Sequence, residues 1–475
     1  MVKKTTFALF FGNRGFFPAK LMSEARKEIS GVLESMGYDY IMPNERATRF
    51  GAVENPAEGQ IYANFLEKNK GKFGGVILSL PNFGDESGAV AALKNAGVPI
   101  LIQAYPDELN KMAPSERRDS FCGKFSIMDV FVQYAVPFTI LPPHTVSPSS
   151  KTFKSQIDYF DRVCRVVNGV KGMTVGAIGA RTTAFKTVRI DEGALQKNGI
   201  TMETYDLSDI FCRMDYVDEK NKKYKAKKEI LKNYSNWSGV PDEAFVKIVK
   251  LGVVLDGLIK ENKLDAIALR CWMEMQQQLG ISPCVVLSLL NNEFIPAACE
   301  VDVGNAVAMS ALCQASGEVS ACLDWNNNYG EQENKCILFH CGPVPQAMMK
   351  AKGKITDHAI LANAIGAGRG FGPNQGRIKA GPFTFSSMLT ADGKLKFYVG
   401  EGQFTDDPIQ EEFFGCAGVA EIQKLQDVLL YVGNAGHRHH VSVTPSRVSA
   451  PLAEALTKYL GFEVTRPQRR NDGIT

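Results

Sequence analysis

The chain has 475 residues, with 54 Lys+Arg against 51 Asp+Glu, 6 His and a formal net charge of +3. Its 45% hydrophobic and 22% charged residues are ordinary for a globular protein and exclude a disordered, collagenous or coiled-coil chain. The near-neutral charge argues against nucleic acid or an anionic membrane as partner, and at about 150 residues per domain the length predicts about three domains.

The N-terminal sequence MVKKTTFALFFGNRGFF has only a short apolar run, broken at Asn13-Arg14, and reads as a first β-strand rather than a leader peptide. TTFALFFG, GGVILSL, VPILIQAY and VPFTILPP follow as buried strands, since each is short, continuous and ends at Gly or Pro. Amphipathic segments such as 20–36 lie between them, and this alternation predicts a parallel sheet covered by helices. A Pro/Ser/Thr-rich stretch at 143–155 leads into a helix, with a domain boundary expected near 165–171.

A second α/β unit is expected next. GMTVGAIGAR, GITMETYDL, LDAIALRCW and FIPAACEVD read as its strands, 242–261 as a helix and the Lys-rich 221–233 as a solvated helix face. From about 330 the texture changes, with frequent Gly and shorter strands. PFTFSSMLTADGKLKFYVGEGQF reads as a hairpin turning at Ala391-Asp392-Gly393. The fold class expected is therefore α/β, with two flavodoxin-like parallel-sheet domains (1–168 and 169–318) followed by a mainly antiparallel, barrel-like domain (319–475) closed by a helix at 451–460.

Several motifs fail. GAGRGFG (366–372) and GAIGAR (176–181) lack the strand–turn–helix context of a phosphate loop. No run of 18 apolar residues suits a transmembrane helix. The 11 Cys are odd in number and scattered, without C-x-x-C, which points to reduced buried thiols in a cytoplasmic protein and away from a cysteine zinc site.

Residues 294–330 carry the chemistry. FIPAACE and SACLD read as successive strands of a parallel β-α-β unit, which puts Glu300 and Asp324 at strand ends on one sheet edge, where open α/β folds bind ligands. The plainer alternative is that Glu300 or Asp302 caps the intervening helix and Asp324 starts a turn. Three of the six histidines, His437, His439 and His440, fall within four residues. One histidine beside two carboxylates suits a hard or borderline cation such as Mn²⁺, with zinc less fitting.

Ala298-Cys299-Glu300-Val301-Asp302, Asn305, Ala308-Met309, Asp324 and the late His440 resemble, in order and spacing, the L-fucose isomerase family, with the L-arabinose isomerases as more distant relatives. The resemblance implies that Glu300 and Asp324 bind catalytic Mn²⁺ and do the acid–base work, with His440 as third ligand, His439 the next choice in register and His437 the third. It implies substrate contacts from Arg14 in Gly12–Gly15, from Phe83 (where the family loop carries Trp), and from Arg270, Trp272 and Gln276. His340 and His439 line the same pocket on this reading. The implied reaction is aldose–ketose isomerisation through an ene-diol. The implied assembly is a homo-oligomer, hexameric or trimer-based, with sites shared between subunits. The family's typical members are longer, which leaves the sugar open among L-fucose, D-arabinose, L-arabinose and a modified hexose such as a sulfonated one. Competing readings are a metal-dependent epimerase or aldolase and a sugar-binding protein.

Overall fold

The computed structural model describes residues 3–18, 20–182 and 184–469. The chain divides into two compact units. Residues 3–168 together with 454–461 form the first, and 169–453 with 462–469 form the second.

The first unit is built on β1 (Phe7–Phe11), β2 (Tyr40–Ile41), β3 (Gly75–Leu80) and β4 (Ile100–Ala104), all parallel, in the order β2-β1-β3-β4. β1, β3 and β4 are buried at every position, which is why they read as unbroken apolar runs. Helix Lys20–Ser35 buries Leu21, Met22, Ala25, Ile29 and Leu33 at helical spacing. VPFTILPP is not a strand: only Thr139 bridges to Leu101, because Pro137, Pro142 and Pro143 lack the N–H groups a ladder needs.

The second unit begins with another parallel sheet: β5 (Thr174–Ile178), β6 (Thr201–Tyr205), β7 (Ala266–Leu269) and β8 (Ala297–Cys299), in the order β6-β5-β7-β8. Both sheets thus have the first four strands of the flavodoxin-like order 2-1-3-4. Helix Asp242–Asn262 covers the second sheet with Ile248, Leu251, Leu255 and Leu258. The Lys-rich helix Lys222–Tyr234 is largely solvated. Lys227 is buried, and its ammonium lies 2.7 Å from Asp256.

The rest of this unit is a closed barrel. Its strands are β9 (Ala321–Asn328), β10 (Lys335–His340), β13 (Gly381–Ala391), β14 (Lys394–Phe404), β15 (Cys416–Glu421) and β16 (His440–Thr444). They pair antiparallel in the circuit β15-β10-β9-β16-β13-β14, and β14 returns to β15. Short strands β11 (Lys354–Ile355), β12 (Asn374–Arg377) and β17 (Glu463–Thr465) flank it. Phe383, Phe385, Leu338, Tyr398 and Val441 fill the interior. The β13–β14 hairpin turns at Asp392-Gly393, both at positive φ as a two-residue turn of the I′ kind requires. The expected closing helix is split: Ser449–Glu454 is helical and Ala455–Tyr459 continues as a π turn that groups with the first unit.

One assumption about strand pairing is corrected here. β8 belongs to the parallel sheet, whereas β9 is a barrel strand flanked by β10 and β16. The helix Val303–Ser316 between them crosses from one sheet to the other, so Glu300 and Asp324 do not share a sheet edge. That helix is almost wholly buried, and at Gly304 an added Cβ would sit 2.5 Å from the Met388 carbonyl oxygen. Gly304→Ala is expected to lower the unfolding free energy by about 1–3 kcal/mol through overpacking. Urea denaturation checks this, and an unchanged midpoint would contradict so close an approach.

Candidate active site

The site forms where the carboxyl end of the second parallel sheet meets the barrel. Beyond β8 the chain turns sharply at Glu300 and Val301, with φ of 64° and 59°. Two consecutive non-glycine residues in the left-handed region cost on the order of 1–3 kcal/mol each and survive only where packing enforces them. Asp302 then caps helix Val303–Ser316, accepting from the Asn305 N–H at 3.0 Å. The capping alternative for Asp302 is correct, and the residue does more. Its Oδ2 lies 2.8 Å from His440 Nδ1, its Oδ1 pairs with the Arg438 guanidinium, and the carboxylate is fully buried.

Asp324 in β9 and His440 in β16 are directly paired across the barrel ladder. His440 Nε2 lies 2.8 Å from Glu300 Oε2 and 3.4 Å from Asp324 Oδ1. The Trp272 indole N–H donates to Glu300 Oε1 at 2.8 Å, leaving Oε2 facing the imidazole. Neither Asp324 Oδ1 nor His440 Nε2 has a hydrogen-bond partner, although both are buried. With Nδ1–H given to Asp302, a neutral His440 turns the Nε2 lone pair toward the two carboxylates, an arrangement that suits a cation among them. Two overlapping donor groups are close enough for one ion: Glu300, His340 and His440, and Asp324, His439 and His440. Oxygen and imidazole donors fit a hard or borderline divalent ion. The Glu300 and Asp324 side chains keep 15% and 18% exposure, enough for a small molecule to touch them.

The electrostatics follow from this crowding. Burial would raise Glu300, yet His440 holds it below the usual carboxylate range. Burial pushes Asp324 up, despite His340 and His440 nearby. Asp302 is held far below the usual range, against its burial, by Arg438 and His440. Burial would lower His440, but Asp302, Glu300 and Asp324 hold it well above the ordinary imidazole value. His340 is raised to about 9 against its burial, chiefly by Cys341 and Asp324.

The remaining expected residues fall in three places. His439 is exposed, 3.7 Å from Asp324 Oδ1, and its ring meets that of Phe185 edge-on. His340 is buried with its ring 5.8 Å from that of His440. His437 packs against Tyr398 and Tyr431, and burial beside Arg438 lowers it to about 3. Arg270 donates to the Ala180 carbonyl and pairs with Glu274, while Gln276 is fully buried and donates to Cys271 O and Ser282 Oγ. Arg14 and Phe83 belong to the first unit and meet each other, the guanidinium 4.6 Å from the ring centre, with Arg14 also pairing with Glu86. Sequence reasoning missed Arg438 and Phe185. Arg438 had a signal: in an extended segment, 438 and 440 point to the same side. Phe185, whose ring touches Trp272, His439 and His440, had none.

Residues 8–171 match the fucose/sulfoquinovose isomerase N-terminal domain, and residues 338–466 match the L-fucose isomerase C-terminal domain. The chain belongs to the L-fucose isomerase family. Sulfoquinovose isomerases of Priestia aryabhattai and Priestia megaterium are each 24% identical over 84% of this chain and 87% of their own length. One from Alkalicoccus urumqiensis is 22% identical over 80% of this chain and 83% of its own. Among solved structures, an ABC-transporter solute-binding protein from Burkholderia multivorans aligns at 9% identity and a TM-score of 0.18 over 66% of this chain and 94% of that one, too slight a likeness to bear on function. As a member of this family of sugar isomerases, the chain interconverts an aldose and a ketose.

Asp302→Asn leaves the Arg438 guanidinium buried without its counter-charge. Such a loss costs about 3–5 kcal/mol. Chemical denaturation of the variant is expected to show a fall of that size, and wild-type stability would contradict the pairing.

Proposed function

We propose that this isomerase acts through Glu300, Asp324 and His440 as the ligands of one divalent cation, Mn²⁺ by the donor set, on a sulfonated aldohexose. The observation that carries the reading is the convergence of both carboxylates on His440 Nε2, whose Nδ1 is held by Asp302. The substrate class rests on the relatives, which are named sulfoquinovose isomerases and match most of the chain at comparable length.

When bound, the cation supplies Lewis-acid polarisation of the sugar carbonyl and offsets the charge of the ene-diolate. The chain's own residues move the proton. One of the carboxylates Glu300 and Asp324 takes the proton from C2 of the open-chain aldose, the electron pair left behind forms the C1=C2 bond, and the charge passes to O1. A carboxyl group of the pair then returns a proton to C1 as the O2 hydrogen passes to O1 and O2 becomes the carbonyl oxygen. Trp272 keeps Glu300 in place by holding Oε1. His439 and His340 offer imidazole nitrogens to sugar hydroxyls, and the Phe185 ring excludes water from one side. In the shared-site homo-oligomer of this reading, Arg14, packed on Phe83, offers its guanidinium to an anionic substituent of the sugar held by a neighbouring copy.

The homo-oligomer belongs to the same proposal. Helix Ser120–Gln133 leaves Phe121, Phe125 and Val132 54–69% exposed, an apolar face suited to a second copy. We place the protein in the cytoplasm, in keeping with eleven cysteines that are all free thiols and with described helices that are too short or too polar to cross a membrane.

The test is a panel of aldoses with ketose detection. A sulfonated hexose is expected to turn over best, ahead of L-fucose, D-arabinose and L-arabinose. EDTA is expected to abolish turnover and Mn²⁺ to restore it. Glu300→Gln and Asp324→Asn are expected to lose about 10²–10⁴-fold in turnover while staying folded. Full activity in either variant, or indifference to EDTA, contradicts the assignment.

A further inference from the structure

Beneath the catalytic cluster lies a layer of sulfur that the isomerase chemistry does not use. Cys271 follows β7, Cys284 opens helix Cys284–Asn292, Cys299 ends β8 and Cys341 follows β10. Far apart in sequence, they converge in space. The Cys299 thiol reaches the sulfurs of the other three. Cys284 Sγ and Cys341 Sγ are 3.5 Å apart. Cys341 Sγ is also 3.3 Å from His340 Nδ1, and that nitrogen accepts the Cys341 backbone N–H at 2.9 Å. Of the four, Cys271, Cys284 and Cys299 are buried, while Cys341 is partly exposed.

We propose that Cys341 is a site of reversible oxidation by hydroperoxides, with Cys284 as the resolving thiol and His340 as the link to the catalytic centre. A thiolate is the nucleophile in such chemistry. The Cys284 sulfur 3.5 Å away and the Cys299 thiol beside it can donate to the Cys341 sulfur, which favours that form. The Cys341 sulfur attacks the peroxide, the O–O bond breaks, Cys341 becomes a sulfenic acid, and the leaving oxygen takes up a proton as water or alcohol. The Cys284 thiol then attacks the sulfenic sulfur, an S–S bond forms and water leaves. Two thiols lose two electrons in all, and the peroxide gains them. The sulfurs must close from 3.5 Å to about 2.05 Å, within reach of side-chain rotation at a helix start and at the loop after β10.

His340 carries the consequence. Its Nδ1 faces Cys341, and its Nε2, buried and without a hydrogen-bond partner, lies on the other side of the ring. Turning the Cys341 side chain onto Cys284 takes away the sulfur beside Nδ1 and leaves that nitrogen with the Cys341 backbone N–H alone. Oxidation of the sulfurs stands apart from the proposed isomerase site; only its effect on turnover rests on that reading.

The experiment uses the full chain, reduced, desalted and treated with hydrogen peroxide, then alkylated, digested and read by mass spectrometry. A disulfide-linked peptide pair containing Cys284 and Cys341 is expected, with the loss of two alkylatable thiols per chain, both restored by dithiothreitol. Turnover is expected to fall at least tenfold in step with the bridge and to return on reduction. In Cys284→Ala, the bridge is expected to be absent and a dimedone adduct to appear on Cys341. A wild-type Cys341 that stays fully alkylatable after peroxide, or that bridges to Cys299 instead, overturns the proposal. A bridge that leaves turnover unchanged overturns the link through His340.

Discussion

A buried carboxylate, Asp302, organises this molecule's chemistry. It has no solvent to share its charge, so it must be paired, and Arg438, His440 and the start of helix Val303–Ser316 all pair with it. The same residue ends the turn that aims Glu300 and fixes the strand that bears His440. A helix from the parallel sheet and a strand from the barrel are thus locked together at one side chain. Asn305 extends the lock, since the Ser442 hydroxyl donates to its Oδ1 at 2.8 Å.

From that lock the site's polarity follows. Asp302 takes one nitrogen of His440, so the other can turn only toward Glu300 and Asp324. Trp272 removes one oxygen of Glu300 from play and leaves the second. What remains is a small set of oxygen and nitrogen donors suited to a hard ion, set above a layer of thiols suited to soft chemistry. His340 stands between the two, with one nitrogen on each side. The strained pair Glu300-Val301 shows that packing, and not local preference, holds the carboxylate in place.

Much of the scaffold was legible in the sequence because its strands are either buried on both faces, as β1, β3 and β4 are, or joined by a turn with a distinctive dipeptide, as β13 and β14 are. The stretch 136–143 misled because its apolar run resembles a strand while its prolines deny it a ladder. The carboxylates and the histidine cluster stood out as residue types. Their arrangement did not, because the spacing from Glu300 to Asp324 fits a step within one sheet as well as a step from sheet to barrel, and only the strand partners decide between them. Asp302 was readable as a cap, a local property. Its hold on His440 spans 138 positions and leaves no local trace. The cysteines looked scattered for the same reason: they approach one another only through the ends of separate elements.

The central claim is that Glu300, Asp324 and His440 share one cation. Its most direct test is anomalous scattering from a crystal grown with Mn²⁺ and an alditol. The account predicts a single strong manganese peak bounded by the two carboxylates and His440 Nε2, with His440 Nδ1 still on Asp302. A peak elsewhere, or a site with no manganese at saturating concentration, would contradict it.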